Sequence, residues 1–194
     1  MKWFVSLLTI VTLSACAASG PQPGNSTEIA ALAKTLQELS PNVDPDEAMR
    51  AAMLTYETTQ SLAIAYQITD SPLIHNAKVN AGRKPRGLCY HWAEDLQAQL
   101  DAAGFETLDT ARAIANSDSW VLIDHSTAVI TAKGAAMESG IVVDPWRYGG
   151  SLFWAPVHED TRYDWRLRED VLREKGRITY VQRTEGSLAA PPAD

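Results

Sequence analysis

The sequence predicts an α+β domain: helices packed on an antiparallel sheet, with a cysteine at the N-terminus of a core helix. Three observations carry that reading. Apolar residues recur as Leu88, Trp92, Ala93, Leu96, Leu100 and Ala103, the three-and-four spacing of a helix buried along one face. After Gly104 the character changes, and residues 120–132 and 140–146 are rich in β-branched side chains, which favour strands. Residues 133–139, with Gly134, are short enough to join those two runs as a hairpin.

Composition bounds what such a domain does. The chain has 194 residues, 45% hydrophobic and 21% charged, which suits one globular domain with its own core. A net charge of −7 offers no broad basic footprint, so nucleic acid is not an expected partner. With four His, two Cys and no CxxC or HExxH, no metal site and no cofactor are expected.

Taken in order, residues 1–15 read as an export signal: Lys2 is the positive start, residues 3–13 the apolar stretch, and Ser14 and Ala15 the small residues before a cut. The stretch is too short to span a bilayer. Leu13-Ser14-Ala15-Cys16 resembles the lipobox of bacterial lipoproteins, which implies lipid attachment at Cys16; a plain secreted protein cut near Ala18 is the alternative. Ala17 stands where lipoproteins kept at the inner membrane usually carry Asp, so the resemblance implies a cell-envelope protein of the outer membrane facing the periplasm. Residues 16–25 are small and turn-rich, a tether to that membrane partner.

The domain is expected over residues 26–183. Ser26 or Thr27 can cap a first helix with Ile29, Leu32, Ala33, Leu36 and Leu39 inward. Asp44-Pro45-Asp46-Glu47 opens a second, running to about Ile68 with Ala48, Met49, Ala52, Met53, Tyr56, Leu62, Ala63 and Tyr66 as its inward face. Residues 71–87 lack periodicity and read as loop with a short extended piece at Leu73-Ile74; His75 there reads as a surface or capping histidine. The cysteine-bearing helix follows, closed by Gly104. Residues 108–115 make a weak strand and 116–119 a turn. Beyond the hairpin, the aromatic residues 152–157 either wall a substrate cleft next to Asp144 or, the favoured reading, complete the core; residues 163–175 read as a helix and 178–181 as an edge strand. Residues 184–194 form a disordered tail.

Cys89 falls in the first turn of its helix, after Arg83, Lys84 and Arg86. Unpaired backbone N–H groups, the positive end of the helix dipole and nearby cations favour a thiolate. The plainer alternative is a small buried cysteine packing like alanine. If Cys16 carries lipid, Cys89 has no intramolecular partner in an oxidising compartment, which favours chemistry. A hairpin centred near residues 134–136 sets His125 roughly opposite Asp144, close enough for a carboxylate to hold an imidazole. His91, about 200° around the helix from Cys89, faces away. With Asp95, at i and i+4, it has the spacing of a metal-binding pair but is expected as an exposed polar pair, and His158 has no evident strand partner.

Gly87-Leu88-Cys89, His125-Ser126-Thr127-Ala128-Val129 and Val143-Asp144-Pro145-Trp146 together resemble the transglutaminase-like superfamily. In that papain-like class a Gly-x-Cys helix precedes a His-bearing strand and an Asp-Pro at the end of the next. The resemblance spans about residues 85–147. It implies Cys89 as nucleophile, His125 as general base and acid, Asp144 as its orienter, and a peptide or amide substrate in the envelope. Asn76 and Asn80 are candidates to join the backbone N–H of Cys89 in an oxyanion hole. The expected activity is a thiol hydrolase or acyl transferase, a cysteine peptidase or amidase favoured over cross-linking. The alternative is a non-catalytic binding or scaffold lipoprotein that keeps the fold.

Overall fold

Asn25, one residue before the predicted caps, starts the first helix. Its side chain accepts from Thr27 N and Glu28 N at 3.0 Å, and Glu28 reaches back to Asn25 N at 2.9 Å, so three of the orphan donors at that helix end are satisfied. The computed structural model describes residue 21 and residues 23–177. Among these, five α-helices accompany one five-stranded antiparallel sheet, an α+β architecture. The predicted export signal, Cys16, most of the tether, the 178–181 strand and the 184–194 tail lie outside the described residues. No helix among the described residues is long and apolar enough to cross a membrane.

Helix α1 (Ser26–Gln37) lays Leu32, Ala33 and Leu36 against α2 (Pro45–Ala65). Asp44 caps α2 by accepting from Asp46 N and Glu47 N, with Pro45 in the first turn, as its sequence predicts. The helix ends three residues early: Gln67 takes φ 55° and Ile68 N turns back to Ala63 O. Its inward stripe is narrower than expected. Met49 and Met53 are exposed, while Thr55, Thr58 and Thr59 are buried. Small threonines let α2 approach its neighbours closely, and the unbranched methionines tolerate the outer face.

Residues 72–80, expected as loop, form helix α3 (Pro72–Asn80). Pro72 at its first turn replaces a side-chain cap, and the helix is too short for periodicity to declare it. His75 is correspondingly not at the surface: it is buried, with Nε2 2.8 Å from Arg86 O.

The sheet runs β4-β3-β2-β1-β5. Strand β1 (Leu108–Ala115) has the predicted bounds and pairs along its whole length with β2 (His125–Ala132). All eight residues of β2 are buried, which makes it the sheet's centre. The expected strand over 120–132 is thus shorter. Residues 120–123 leave the sheet, because their side chains are exposed and the chain there has no strand to pair with. Strand β3 (Ile141–Asp144) returns beside β2 through the predicted hairpin, with Ala128 facing Val143 and Val129 facing Val142. Gly140 makes that return possible: a Cβ there would lie 2.7 Å from Ile130 O.

Strand β4 (Phe153–Pro156) finishes one edge. The other edge belongs to β5 (Arg166–Leu167), followed by α5 (Arg168–Glu174). The expected helix over 163–175 therefore begins at 168, after a two-residue strand. Alternation divides the sheet into two apolar faces. Leu108, Ala128, Ile130, Ile141 and Val143 meet α1, α2 and α4 (Cys89–Ala102). Ala113, Ala115, Val129 and Val142 meet Val157 and Trp165. Helix α4 packs along β2 and β1, which brings its N-terminus to the end of the sheet where β2 begins.

Candidate active site

Cys89 is the first residue of α4, as its sequence predicts. The turn that delivers it depends on Gly87, whose φ is 120° and whose Cβ would sit 2.4 Å from His75 Nε2; only glycine fits there. Leu88 has no capping side chain, so His91 takes that part. His91 Nδ1 accepts from Gly87 N at 3.2 Å and Leu88 N at 3.3 Å. That fixes the tautomer with the proton on Nε2. Burial, followed by the charge of Arg86, lowers its pKa and keeps it neutral. His91 is thus turned back to the chain entry rather than presented at the surface. Asp95 is half-buried, bonded to Tyr66 Oη at 2.5 Å and to Arg86 at 2.8 Å, so the two do not form an exposed polar pair.

Two of the three cations expected beside Cys89 have other partners, and the third, Arg83, is exposed. Arg86 is held by Asp95, and Lys84 donates to Gln67 O. A cation that the sequence did not set beside Cys89 is Arg112 of β1, whose pKa burial lowers against the opposing charges of its neighbours; it donates to Tyr90 O at 3.4 Å and Ser126 Oγ at 3.3 Å. Arg112 therefore ties the start of α4 to the start of β2. No sequence signal marked it, because the contact is made across the sheet.

His125 begins β2, on the face that carries Val129 and Trp165. Asp144 ends β3 on the same face, one same-face position along from direct opposition to His125. The diagonal is short enough for a 2.7 Å bond between His125 Nε2 and Asp144 Oδ2. His125 is 3% exposed and Asp144 1%. Three rings enclose the imidazole, with centroids at 4.7 Å for Trp146, 4.6 Å for Tyr163 and 5.2 Å for Trp165.

Burial by itself lowers the pKa of His125. The bond to Asp144 and the neighbouring Cys89 outweigh it and raise the pKa to about 9. The second ring nitrogen, Nδ1, is buried and has no hydrogen-bond partner among the described residues. The Cys89 thiol is turned to Asp124 O at 3.6 Å, the carbonyl immediately before His125. Cys89 and His125 line one cleft of about 480 Å³ with Trp146 and Tyr163, within the range of small-molecule sites.

Asp144 is itself anchored by a residue that the sequence did not single out. Arg147 donates from N to Asp144 Oδ1 at 3.2 Å and from Nε to Asp144 Oδ2 at 3.0 Å. Its two terminal nitrogens grip Asp160 at 3.1 and 2.5 Å. The guanidinium also lies 3.7 Å from the Phe153 ring centroid and 4.8 Å from that of Tyr163. Burial works against the Asp160 carboxylate, but bonds from Arg147 and Trp165 hold its pKa below the usual range. The Asp-x-x-Arg spacing was the one signal available in the chain. The Asp160 partner, thirteen residues away, left none.

Asn76 and Asn80 do not fill the role set for them. Neither lines the cleft, and Asn76 Oδ1 accepts from Trp146 Nε1 at 3.1 Å, which steadies the ring over His125. His158 is exposed beside Glu159. Cys16 lies outside the described residues. No family model, curated protein or solved structure matches the chain. A thiol at a helix start, an imidazole with one nitrogen on a buried carboxylate and the other unpartnered, and a cleft that both residues line are the groups that nucleophilic acyl transfer requires.

Proposed function

We propose that this chain is a thiol hydrolase or acyl transferase of papain-like, transglutaminase-like type, acting on amide bonds in the bacterial cell envelope. The observation that carries the reading is the 2.7 Å bond from His125 Nε2 to Asp144, which leaves the buried Nδ1 without a partner among the described residues, beside the cleft that His125 and Cys89 both line. Attack by the Cys89 thiolate on the carbonyl carbon forms a C–S bond. The imidazolium then gives its Nδ1 proton to the leaving amine as the C–N bond breaks, and a thioester remains. Water attacks that thioester, His125 takes its proton, and the C–S bond breaks to restore the thiolate. Asp144 keeps Nε2 occupied throughout, so that Nδ1 is the nitrogen that exchanges protons. The backbone N–H of Cys89, in the first turn of α4, has no intrahelical acceptor and is available to the developing oxyanion.

Hydrolysis is favoured over cross-linking, because a tether at Cys16 and an envelope location suit a processing enzyme. The lipobox carries that part of the reading, with the outer membrane facing the periplasm as the site of anchoring. A second reading, a binding or scaffold lipoprotein with an idle triad, is favoured by the 7% exposure of Cys89 and by its bond to Asp124 O. A thiol-directed activity probe separates the two. The enzyme labels at Cys89, and His125→Ala slows that labelling by at least about a hundredfold, within the range for general acid–base catalysis. Equal labelling of both proteins, or none, fits the scaffold.

A further inference from the structure

Four consecutive apolar side chains stand in water beside the Cys89 cleft. Trp120 is 94% exposed, Val121 72%, Leu122 59% and Ile123 67%, and an exposed run of this kind is normally kept only for function. The segment that presents them is tied down at both ends. Ser119 Oγ accepts from Val121 N and Leu122 N, Asn116 Nδ2 donates to Ile123 O at 3.2 Å, and Lys175 pairs with Asp124 at 2.8 Å. Val121, Leu122 and Ile123 line the cleft, and so does Leu73 of α3, itself 63% exposed. The apolar run is therefore the rim of the site.

Pro21, the first of the described residues, lies beside the same cleft. It lines an adjoining groove with Ser71, Pro72 and Arg147, three residues that also line the Cys89 cleft. Cys16 precedes Pro21 by five residues, which span at most about 18 Å fully extended. A lipid on Cys16 thus holds this side of the domain against the bilayer. Tryptophan and aliphatic residues suit the boundary between headgroups and acyl chains.

We propose that Leu73 and residues 120–123 form a lipid-contact rim, so that the Cys89 cleft opens at the membrane surface and takes substrates presented there. The inference rests on the lipid-anchor reading of Cys16. Because the chain carries a net charge of −7, the contact is apolar rather than electrostatic, and salt does not screen it.

The test uses the Cys16→Ser chain without the export signal of residues 1–15, so that neither the lipid nor the apolar stretch that carries Trp3 is present and the rim is measured alone. It is mixed with phosphatidylethanolamine–phosphatidylglycerol vesicles whose acyl chains are brominated. Tryptophan fluorescence is expected to be quenched, Trp120→Phe to remove most of that quenching, and 0.5 M salt to leave it in place. Trp120→Asp is expected to lower vesicle partitioning at least tenfold while circular dichroism stays that of the folded domain. Absence of quenching, or partitioning unchanged in Trp120→Asp, overturns the rim. The mass of the N-terminal peptide from the native protein reads the anchor separately. Its lack of lipid would remove the anchor while leaving the vesicle result to decide the rim.

Discussion

At the residue scale the site is organised around one imidazole with two different nitrogens. His125 has a pKa raised from 6.5 to about 9, so its charged form is preferred in the folded protein. A raised pKa stabilises fully below the unfolded value and loses that contribution as pH climbs through the folded one. Stability is therefore expected to fall between pH 6.5 and about 9, by on the order of 3 kcal/mol for such a shift. Urea unfolding across that range checks it, and His125→Ala should flatten the decline. Arg147 gives a second prediction. Loss of its side chain leaves Asp144 with His125 and the backbone N–H of position 147, and Asp160 with only the neutral donors Trp165 Nε1 and Arg162 N among the described residues, each carboxylate on a side chain no more than 2% exposed. Arg147→Ala is expected to cost about 3–5 kcal/mol, as breaking a buried ion pair does, and Arg147→Lys to recover only part of it, since an ammonium cannot reproduce the fork. Of these residues Cys89, His125 and Asp144 were legible as candidates, because Cys, His and Asp carry their chemistry in their identity, and the hairpin set His125 near the carboxylate it bonds. Arg147 and Arg112 were not, since an arginine reads as surface until a fold supplies its partners.

At the element scale, the pieces with a strong local signal came through and those defined by tertiary partners did not. Asp44 and Pro45 announced α2, and the β-branched runs with Gly134 announced the β2–β3 hairpin to within one register step. Helix α3 escaped notice because nine residues allow little periodicity, and its buried His75 is explained only by the Arg86 carbonyl it meets. That contact matters for the placement of Cys89, because His75 lies beneath the Gly87 turn that feeds α4. Gly87→Ala is expected to destabilise the domain by about 1–3 kcal/mol from backbone strain alone, with more from the clash against His75. Thermal unfolding, together with a fall in Cys89 labelling, reads both effects. Glu47 is a comparable device at the far end of α2. It accepts from Glu106 N and Thr107 N at 2.7 Å, pinning the turn between α4 and β1. Burial opposes its ionised form, but the Thr107 hydroxyl and these amides lower its pKa. Glu47→Ala should cost about 2–3 kcal/mol, measured by chemical denaturation.

At the scale of the whole molecule, the site belongs to no single element. Helix α4 brings Cys89 from one face of the sheet, while β2 and β3 bring His125 and Asp144 on the other, and the groups meet at the end of the sheet where β2 begins. The sequence could place each group on its element, and the hairpin could bring two of them together. The approach of α4 to β2 was not readable, because it is set by the packing of Leu96 and Leu100 with Ala128 and Ile130. The central claim is that the thiol and the imidazole act as one acid–base unit, and two reagents separate that from mere proximity. Iodoacetamide needs only a thiolate. An epoxide needs the thiolate to open its C–O bond and an acid to protonate the departing oxygen, which here is the His125 imidazolium. The measurement is the ratio of epoxide to iodoacetamide labelling of Cys89 between pH 6 and 10.5. The ratio is expected to hold steady at low pH and to fall about tenfold per unit above pH 9, with the fall moved to lower pH in Asp144→Asn. A ratio independent of pH, or one unchanged by Asp144→Asn, would contradict it.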